Sequence, residues 1–167
     1  LVSEGMLFGV QVKGTFVSHF ELEKTFQKQG FTSNMLSLGV QPSSEVILAG
    51  ECEGDEEVRA SLEMANDEPI FCLKRIRMAD HAPIAIERVW ISLKRFPRLP
   101  EFDFSVRSLY DVLHQEFGLD LANGYSRQRV NAVSVTGEDA EALFKAKKGI
   151  ALRIRNVDYD KAHRPFA

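Results

Sequence analysis

The sequence predicts an α+β domain on a mostly antiparallel sheet with flanking helices. Two observations carry that prediction. Apolar, β-branched runs are joined by short turn-forming clusters, as hairpins are. Segments with helical apolar spacing are interspersed among them, so the pattern is not a regular alternation of parallel strands and crossover helices. The chain has 167 residues, 44% of them hydrophobic, which is enough for one domain with a sizeable core and a fragment of another.

In chain order, residues 1–5 read as the last turn of a helix with Gly5 just past its end. Residues 6–18 read as a hairpin with Lys13 and Gly14 at its turn, and 19–23 as a linker. Residues 21–29 form a short helix candidate closed by Gly30, 33–40 a strand, 42–44 a break and 45–52 another strand. Asp55 can cap a helix over 56–64, whose first turn is acidic as the helix dipole favours. After the hairpin at 74–90 and a proline-marked loop at 96–100, Ser105 is the expected cap of a helix to Phe117. Its apolar stripe is Val106, Leu109, Val112, Leu113 and Phe117, and Gly118 stops it. A strand lies within 122–134, and Thr136 with Asp139 makes a variant capping box for a helix running to Gly149. Residues 150–159 form a strand and 160–165 its turn, so the sequence stops where a return strand would begin.

The hairpin at 74–90 places its charges oddly. With period two, Phe71, Leu73, Arg75 and Arg77 share one strand face, and Ala85, Glu87, Val89 and Ile91 share another. Charges on otherwise apolar faces are costly unless paired or bound. A two-residue turn at Asp80 and His81 would pair Arg77 with Ile84 and Lys74 with Glu87, sending Glu87 away from the arginines. A three-residue loop over 79–81 pairs Leu73 with Glu87 and Arg75 with Ala85, bringing all three charges to one face. That loop requires a positive φ at His81, a conformation histidine tolerates better than most residues.

Several function classes find no support. The net charge of −3 makes the bulk of the chain a poor electrostatic partner for nucleic acid. No apolar run is long enough to span a membrane, and no signal-peptide pattern is present. Cys52 and Cys72 lack metal-type spacing and are expected to be reduced core residues of a cytoplasmic protein. His19, His81, His114 and His163 have neither metal spacing nor a nucleophile partner, and no glycine-rich phosphate loop occurs; no cofactor, metal or catalytic residue is expected. A small-molecule site is the stronger reading. Arg75 and Arg77 present planar donor forks suited to phosphate or carboxylate. Ser108 lies in the first turn of a helix, where free amides attract anions. Glu87 would accept from hydroxyls or an amine, and Tyr110 adds a donor and an apolar plate. The bland alternative is a solvated cross-strand ion pair beside a routine helix start.

The run Leu-Val-Ser-Glu-Gly-Met-Leu at 1–7, followed by Lys-Gly-Thr-Phe-Val at 13–17, resembles the end of the recognition helix and the wing of a winged-helix domain in GntR-type bacterial transcription regulators. Phe8-Gly9-Val10-Gln11 departs from the basic residues usual in such wings. Residues 24–167 resemble the UTRA effector-binding domain of the HutC subfamily, through Lys-Arg-Ile-Arg-Met-Ala-Asp at 74–80, Pro-Ile-Ala-Ile-Glu at 83–87, Ser-Leu-Tyr at 108–110 and the helix–strand pair at 137–159. His81 stands where glycine is common in that family. The resemblance implies a chorismate-lyase-like fold, a homodimer, and a small effector that alters operator DNA binding by N-terminal winged-helix heads. It also implies that Arg75, Arg77, Glu87, Ser108, Tyr110 and, less securely, Ser33 line the effector pocket, with sugar phosphates a frequent ligand class. A lyase-type enzyme on the same fold and a ligand-free dimerisation module are the alternatives.

Overall fold

The computed structural model describes residues 30–167 in full and, before them, the backbone of three strands, 7–10, 14–17 and 22–24. Expectations for residues 1–5, for the Lys13 side of the first turn, for 18–21 and for 25–29 fall outside the described residues. Strands β1 (Leu7–Val10) and β2 (Gly14–Val17) pair antiparallel, as the hairpin reading requires. The remaining strands make two antiparallel sheets. One has the order β4-β5-β6, from Pro42–Cys52, Ile70–Ala79 and Ala82–Ser92; the other has the order β3-β7-β8, from Leu22–Lys24, Tyr125–Thr136 and Lys148–Tyr159. Helices α1 (Phe31–Ser37), α2 (Glu56–Ser61), α3 (Leu109–Phe117) and α4 (Gly137–Phe144) flank them. The α+β class and the antiparallel sheets are as the sequence predicts.

The core lies on one face of β5 and β6. Phe71 and Leu73 of β5 and Ile91 of β6 pack with Phe104 and with Leu109, Val112 and Leu113 of α3. The Phe71 and Phe104 rings meet at 5.6 Å, and Phe96 meets Phe117 edge-on at 5.3 Å. The helical stripe is therefore legible in sequence, except that Val106 lies outside the helix and is exposed. Gly118, at φ 65°, ends α3 in the left-handed conformation that a β-carbon would disfavour.

Four local expectations are corrected. Residues 22–24 are strand, not helix, because they pair with Ser126, Arg127 and Gln128 of β7; a long-range ladder outweighs weak helical propensity. The 33–40 segment is not a strand: α1 covers Phe31–Ser37, and half-buried Phe31, Thr32 and Met35 recur at helical spacing. Residues 42–44 are no break but the start of β4, where Pro42 occupies the first strand position and removes no interior ladder bond. α4 stops at Phe144 with Lys145 at φ 54°, short of Gly149. Gly149 serves packing instead. A β-carbon there would collide with the Phe144 ring, so the glycine lets α4 close onto β8. Thr136 is the N-cap as expected, but its side chain makes no cap hydrogen bond.

The cysteines also differ from expectation. Cys52 and Cys72 are joined in a disulfide, with Cα atoms 5.8 Å apart. They lie diagonally across the β4–β5 ladder, Gly50 facing Cys72 and Cys52 facing Ile70, a proximity that only the register discloses.

The turn of the 74–90 hairpin has two residues, with positive φ at both Asp80 (48°) and His81 (67°). That pair of left-handed residues matches the twist of the strands it joins. The predicted positive φ at His81 is observed; the three-residue loop and its register are not. A bulge supplies the offset instead. Met78 faces Pro83 and Arg77 faces Ala85, so Ile84 is the extra residue, and Arg75 comes directly opposite Glu87.

Ion pairs tie the second sheet's segment back to the first. Arg155 of β8 meets Glu57 of α2 at 2.5 Å. Asp139 of α4 accepts from Lys74 of β5 at 3.0 Å and from Arg88 of β6. Burial pushes the Asp139 carboxyl up, but the hydrogen bonds and charges of Lys74 and Arg88 outweigh it and leave its pKa lowered. A carboxylate lowered in the fold contributes stability above its unfolded pKa and loses it as pH falls through the folded value. Asp139→Asn is therefore expected to cost about 0.5–1 kcal/mol near neutrality, a discounted figure for a quarter-exposed pair. Denaturant titrations should show that cost vanish in strong acid; a pH-independent difference would contradict this account.

Candidate functional site

Arg75 and Arg77 project from the central strand of the first sheet onto the face that carries Phe71 and Leu73. Both are almost fully enclosed, at 2% and 3% exposure. Arg75 is fully engaged. Its Nε donates to Glu87 Oε2 at 2.8 Å, its Nη2 donates to the same oxygen, and its Nη1 donates to the Phe104 carbonyl at 3.2 Å.

Arg77 is not fully engaged. It reaches the same Glu87 oxygen only at 3.7 Å, donates from Nη2 to Thr32 Oγ1 at 3.3 Å, and lies over the Phe31 ring at 4.1 Å. Its Nε is buried with no partner. Burial and the neighbouring Arg75 charge lower its pKa to about 10, against the opposing pull of Glu87. It stays protonated at neutral pH. Two guanidinium groups therefore share one carboxylate in a largely desolvated place, and one positive charge is left over. Desolvated charge without a partner is expensive, so this arrangement favours an anion.

A cleft of about 60 Å³ opens beside Arg77, lined by Thr32 of α1, Pro42, Ser43 and Ser44 of β4, and the 105–108 loop. That is room for a few water molecules, the size of an anionic head group. Ser43 Oγ is also buried without a hydrogen-bond partner. Among the described residues, Ser43 Oγ and Arg77 Nε are the two side-chain atoms in that condition, and both residues line this cleft. Native structures leave few such groups unpaired; the register sets Ser44, not Ser43, opposite Arg77, so it is the Ser44 side chain that shares Arg77's face.

Ser108 borders the cleft as the N-cap of α3; its hydroxyl accepts from the Asp111 amide at 3.4 Å. Ser105, expected as that cap, bonds Asp103 instead. The first amides of α3 have no intrahelical acceptor and add partial positive charge on this side.

Two expected site residues lie elsewhere. Ser33 is exposed on α1 and does not line the cleft; its neighbour Thr32 does. Tyr110 is not among the residues lining the cleft; its hydroxyl donates to Asp158 Oδ2 at 2.5 Å, and the Glu87 charge also acts on it. The structure thus brings together Arg75, Arg77, Glu87 and Ser108. Thr32, Ser44 and Phe31 are site residues that the sequence does not disclose, because 42–44 reads as a break and 33–40 as a strand. The signal that could have found them is the register, which sets Ser44 opposite Arg77.

A second, larger cleft of about 270 Å³ lies at the other end of α3, among Phe96, Phe117 and the 160–164 turn. There too Arg95 and Arg164 share one carboxylate, Asp160, while Lys161 pairs with Asp120 at 3.7 Å; but Arg164 and Lys161 are 69% and 68% exposed, so water solvates the remaining charge. It makes no comparable demand for a charged ligand.

Removing the orphaned hydroxyl by Ser43→Ala is expected to leave unfolding stability unchanged or raise it by up to about 1 kcal/mol, because an unsatisfied buried hydroxyl is a cost. Glu87→Gln should do the opposite. It leaves two enclosed guanidinium groups facing each other, a loss toward the lower end of about 3–5 kcal/mol because Glu87 is partly exposed. Urea unfolding of the two variants reads both; a destabilised Ser43→Ala with an unaffected Glu87→Gln would reverse the assignment.

Known proteins share this architecture. A family model for the UTRA domain matches residues 37–167. The HTH-type transcriptional repressor NagR of Bacillus subtilis is 30% identical over 160 residues, 95% of this chain and 65% of that protein. The probable fructoselysine utilization operon transcriptional repressor of Escherichia coli is 26% identical over 167 residues, 99% of this chain and 67% of that protein. The chain thus spans about two thirds of the length of these relatives, which are named as regulators rather than enzymes. Among solved structures, the effector domain of PhnF from Mycobacterium smegmatis superposes with a TM-score of 0.73 at 17% identity, over 82% of this chain and 83% of that one. The possible transcriptional regulator YydK of Bacillus subtilis gives 0.70 at 19%, over 99% and 70%. The antiparallel α+β fold is shared with solved regulators, the family model spans most of the sequence, and the chain belongs to the UTRA domain family.

Proposed function

We propose that this chain is the effector-sensing part of a bacterial GntR-type, HutC-subfamily transcriptional repressor, and that its cleft takes the anionic group of a small metabolite, a sugar phosphate in the first instance. The observation that carries this reading is the uncompensated charge at Arg77, which lines the cleft together with Thr32, Ser44 and Ser108. Arg75 and Glu87 hold that guanidinium in place, and Ser108 with the first turn of α3 supplies further donors. Tyr110 acts through the helix that carries Ser108. The sugar portion fits the relatives' names, among them the fructoselysine repressor and the mannosyl-D-glycerate transport/metabolism system repressor MngR of Escherichia coli.

In this reading residues 1–18 are the end of a winged-helix DNA-binding head and 24–167 the sensor, while the expected 19–23 linker runs into β3, whose Leu22 and Glu23 already pair with the sensor's β7. The protein works in the cytoplasm as a homodimer. An exposed apolar face of the β7–β8 ribbon supports the dimer: Ile150 and Leu152 are 79% and 73% exposed and stand beside Ile154 and, across the ladder, Val130. A face of that kind is what a second copy would cover. An effector that favours one arrangement of the dimer shifts the separation of the two heads, and with it the affinity for two half-sites a fixed distance apart.

Calorimetric titration with hexose 6-phosphates and the matching neutral hexoses tests the reading. Phosphorylated sugars should bind and neutral ones should not. Arg77→Ala should weaken binding by about 10- to 100-fold, the worth of hydrogen bonds to a charged group. Equal binding of neutral hexoses, or no binding of any sugar phosphate, would sink it. For the dimer, Leu152→Asp should shift sedimentation toward the monomer.

A further inference from the structure

The Tyr110–Asp158 pair is not needed to hold an anion, yet it joins the cleft to the strand through which the N-terminal segment enters the fold. Tyr110 lies two residues beyond the Ser108 cap, in the first turn of α3. Its hydroxyl is 2.5 Å from Asp158 Oδ2, and the other carboxylate oxygen of Asp158 accepts from Ser126 Oγ. Asp158 and Ser126 are buried and directly opposite each other on the β8–β7 ladder. Ser126 is in turn directly opposite Lys24 of β3. The ring of Tyr110 also stands against the backbone at Gly30, where a β-carbon would come within 2.9 Å of Cδ2. Gly30 caps α1, the helix that supplies Thr32 to Arg77. One side chain thus touches the helix start that borders the cleft, the N-cap of α1, and the carboxylate that anchors β7 opposite β3.

We infer that Tyr110 is a positioning residue that transmits occupancy of the cleft, through its hydrogen bond to Asp158, to the β8–β7–β3 ladder and so to the N-terminal segment. The inference rests on the reading of the cleft as an anion site. A ligand drawn to the amides at Ser108 acts on the same helical turn that carries Tyr110. Movement of that turn strengthens or weakens a short, charge-assisted O–H···O bond in a place with little water, where its strength counts for more. Burial and the Asp158 charge raise the Tyr110 pKa well above its usual value, so the hydroxyl remains a donor throughout the physiological range. Coupling of this kind is reciprocal: loosening the ladder must also change the cleft.

Hydrogen exchange read by mass spectrometry on this chain and its Tyr110→Phe variant tests the relay. Without ligand, Tyr110→Phe should speed exchange about tenfold at 22–24 and 125–128, as loss of a hydrogen bond to a charged group implies. The β4–β5–β6 sheet should be unchanged. A merely structural loss would raise exchange in both sheets alike, and no change at 125–128 would also overturn the relay. With glucose 6-phosphate and the other hexose 6-phosphates as probes, the natural chain should gain protection at 22–24. Tyr110→Phe, held at saturating probe, should gain none. If no probe binds the natural chain, the anion reading fails while the ligand-free comparison still judges the relay. Should Tyr110→Phe fold poorly, Asp158→Asn, which keeps shape and acceptor but not charge, should show a smaller change of the same sign; an Asp158→Asn chain indistinguishable from the natural one in both arms overturns the relay.

Discussion

The Glu87 carboxylate, lying between two enclosed guanidinium groups, is the interaction on which the rest of the site depends. One oxygen serves Arg75 closely and Arg77 at 3.7 Å. A single carboxylate cannot neutralise both, and the low-dielectric setting makes the remainder count. The surroundings share the load. Phe104 turns a carbonyl onto Arg75, while α1 lends a hydroxyl and an aromatic face to Arg77. These contacts steady the arginines without cancelling their charge. A fold arranged only for stability would gain by replacing such a cluster with well-packed apolar side chains, as buried ion pairs often can be.

The bulge at Ile84 controls this arrangement. The left-handed pair Asp80 and His81 closes the turn in two residues, and that alone would direct Glu87 to the opposite face. One extra residue restores the parity and sets the acid opposite Arg75. The Asp80 side chain also reaches across the sheet, where its carboxylate accepts from the Gln41 amide at 3.0 Å just before β4 begins. The tip of one hairpin thus fixes where Ser43 and Ser44 enter the cleft. Local turn chemistry, strand register and the site's electrostatics are consequences of one another here.

What can be read from sequence follows from the range of the interactions involved. Period-two alternation places Arg75 and Arg77 on the core face, and the composition of the turn foretells the left-handed His81. Both depend on neighbouring residues. The apolar stripe of α3 and its stop at Gly118 are legible for the same reason. The bulge is not, because a bulge leaves no mark in the alternation until the partner strand is known. Residues 22–24 take strand form only by meeting β7, more than 100 positions away in sequence. The diagonal approach of Cys52 and Cys72, the orphaned Ser43 and the bond from Tyr110 to Asp158 likewise arise from contacts that no local window contains. Of the expected site residues, Arg75, Arg77, Glu87 and Ser108 come together. Ser33 and Tyr110 do not line this cleft: one is on a helix where a strand is expected, and the other is on a helix that starts later than expected.

The lowered but still high pKa of Arg77 has a consequence for sensing. At about 10 it leaves the guanidinium charged across the whole range in which a cell operates. The Arg77 charge is then a constant across that range. A phosphate monoester gains its second negative charge near pH 6. For the phosphorylated ligand proposed above, acidification toward pH 6 would weaken binding by altering the ligand while the Arg77 charge stays as it was.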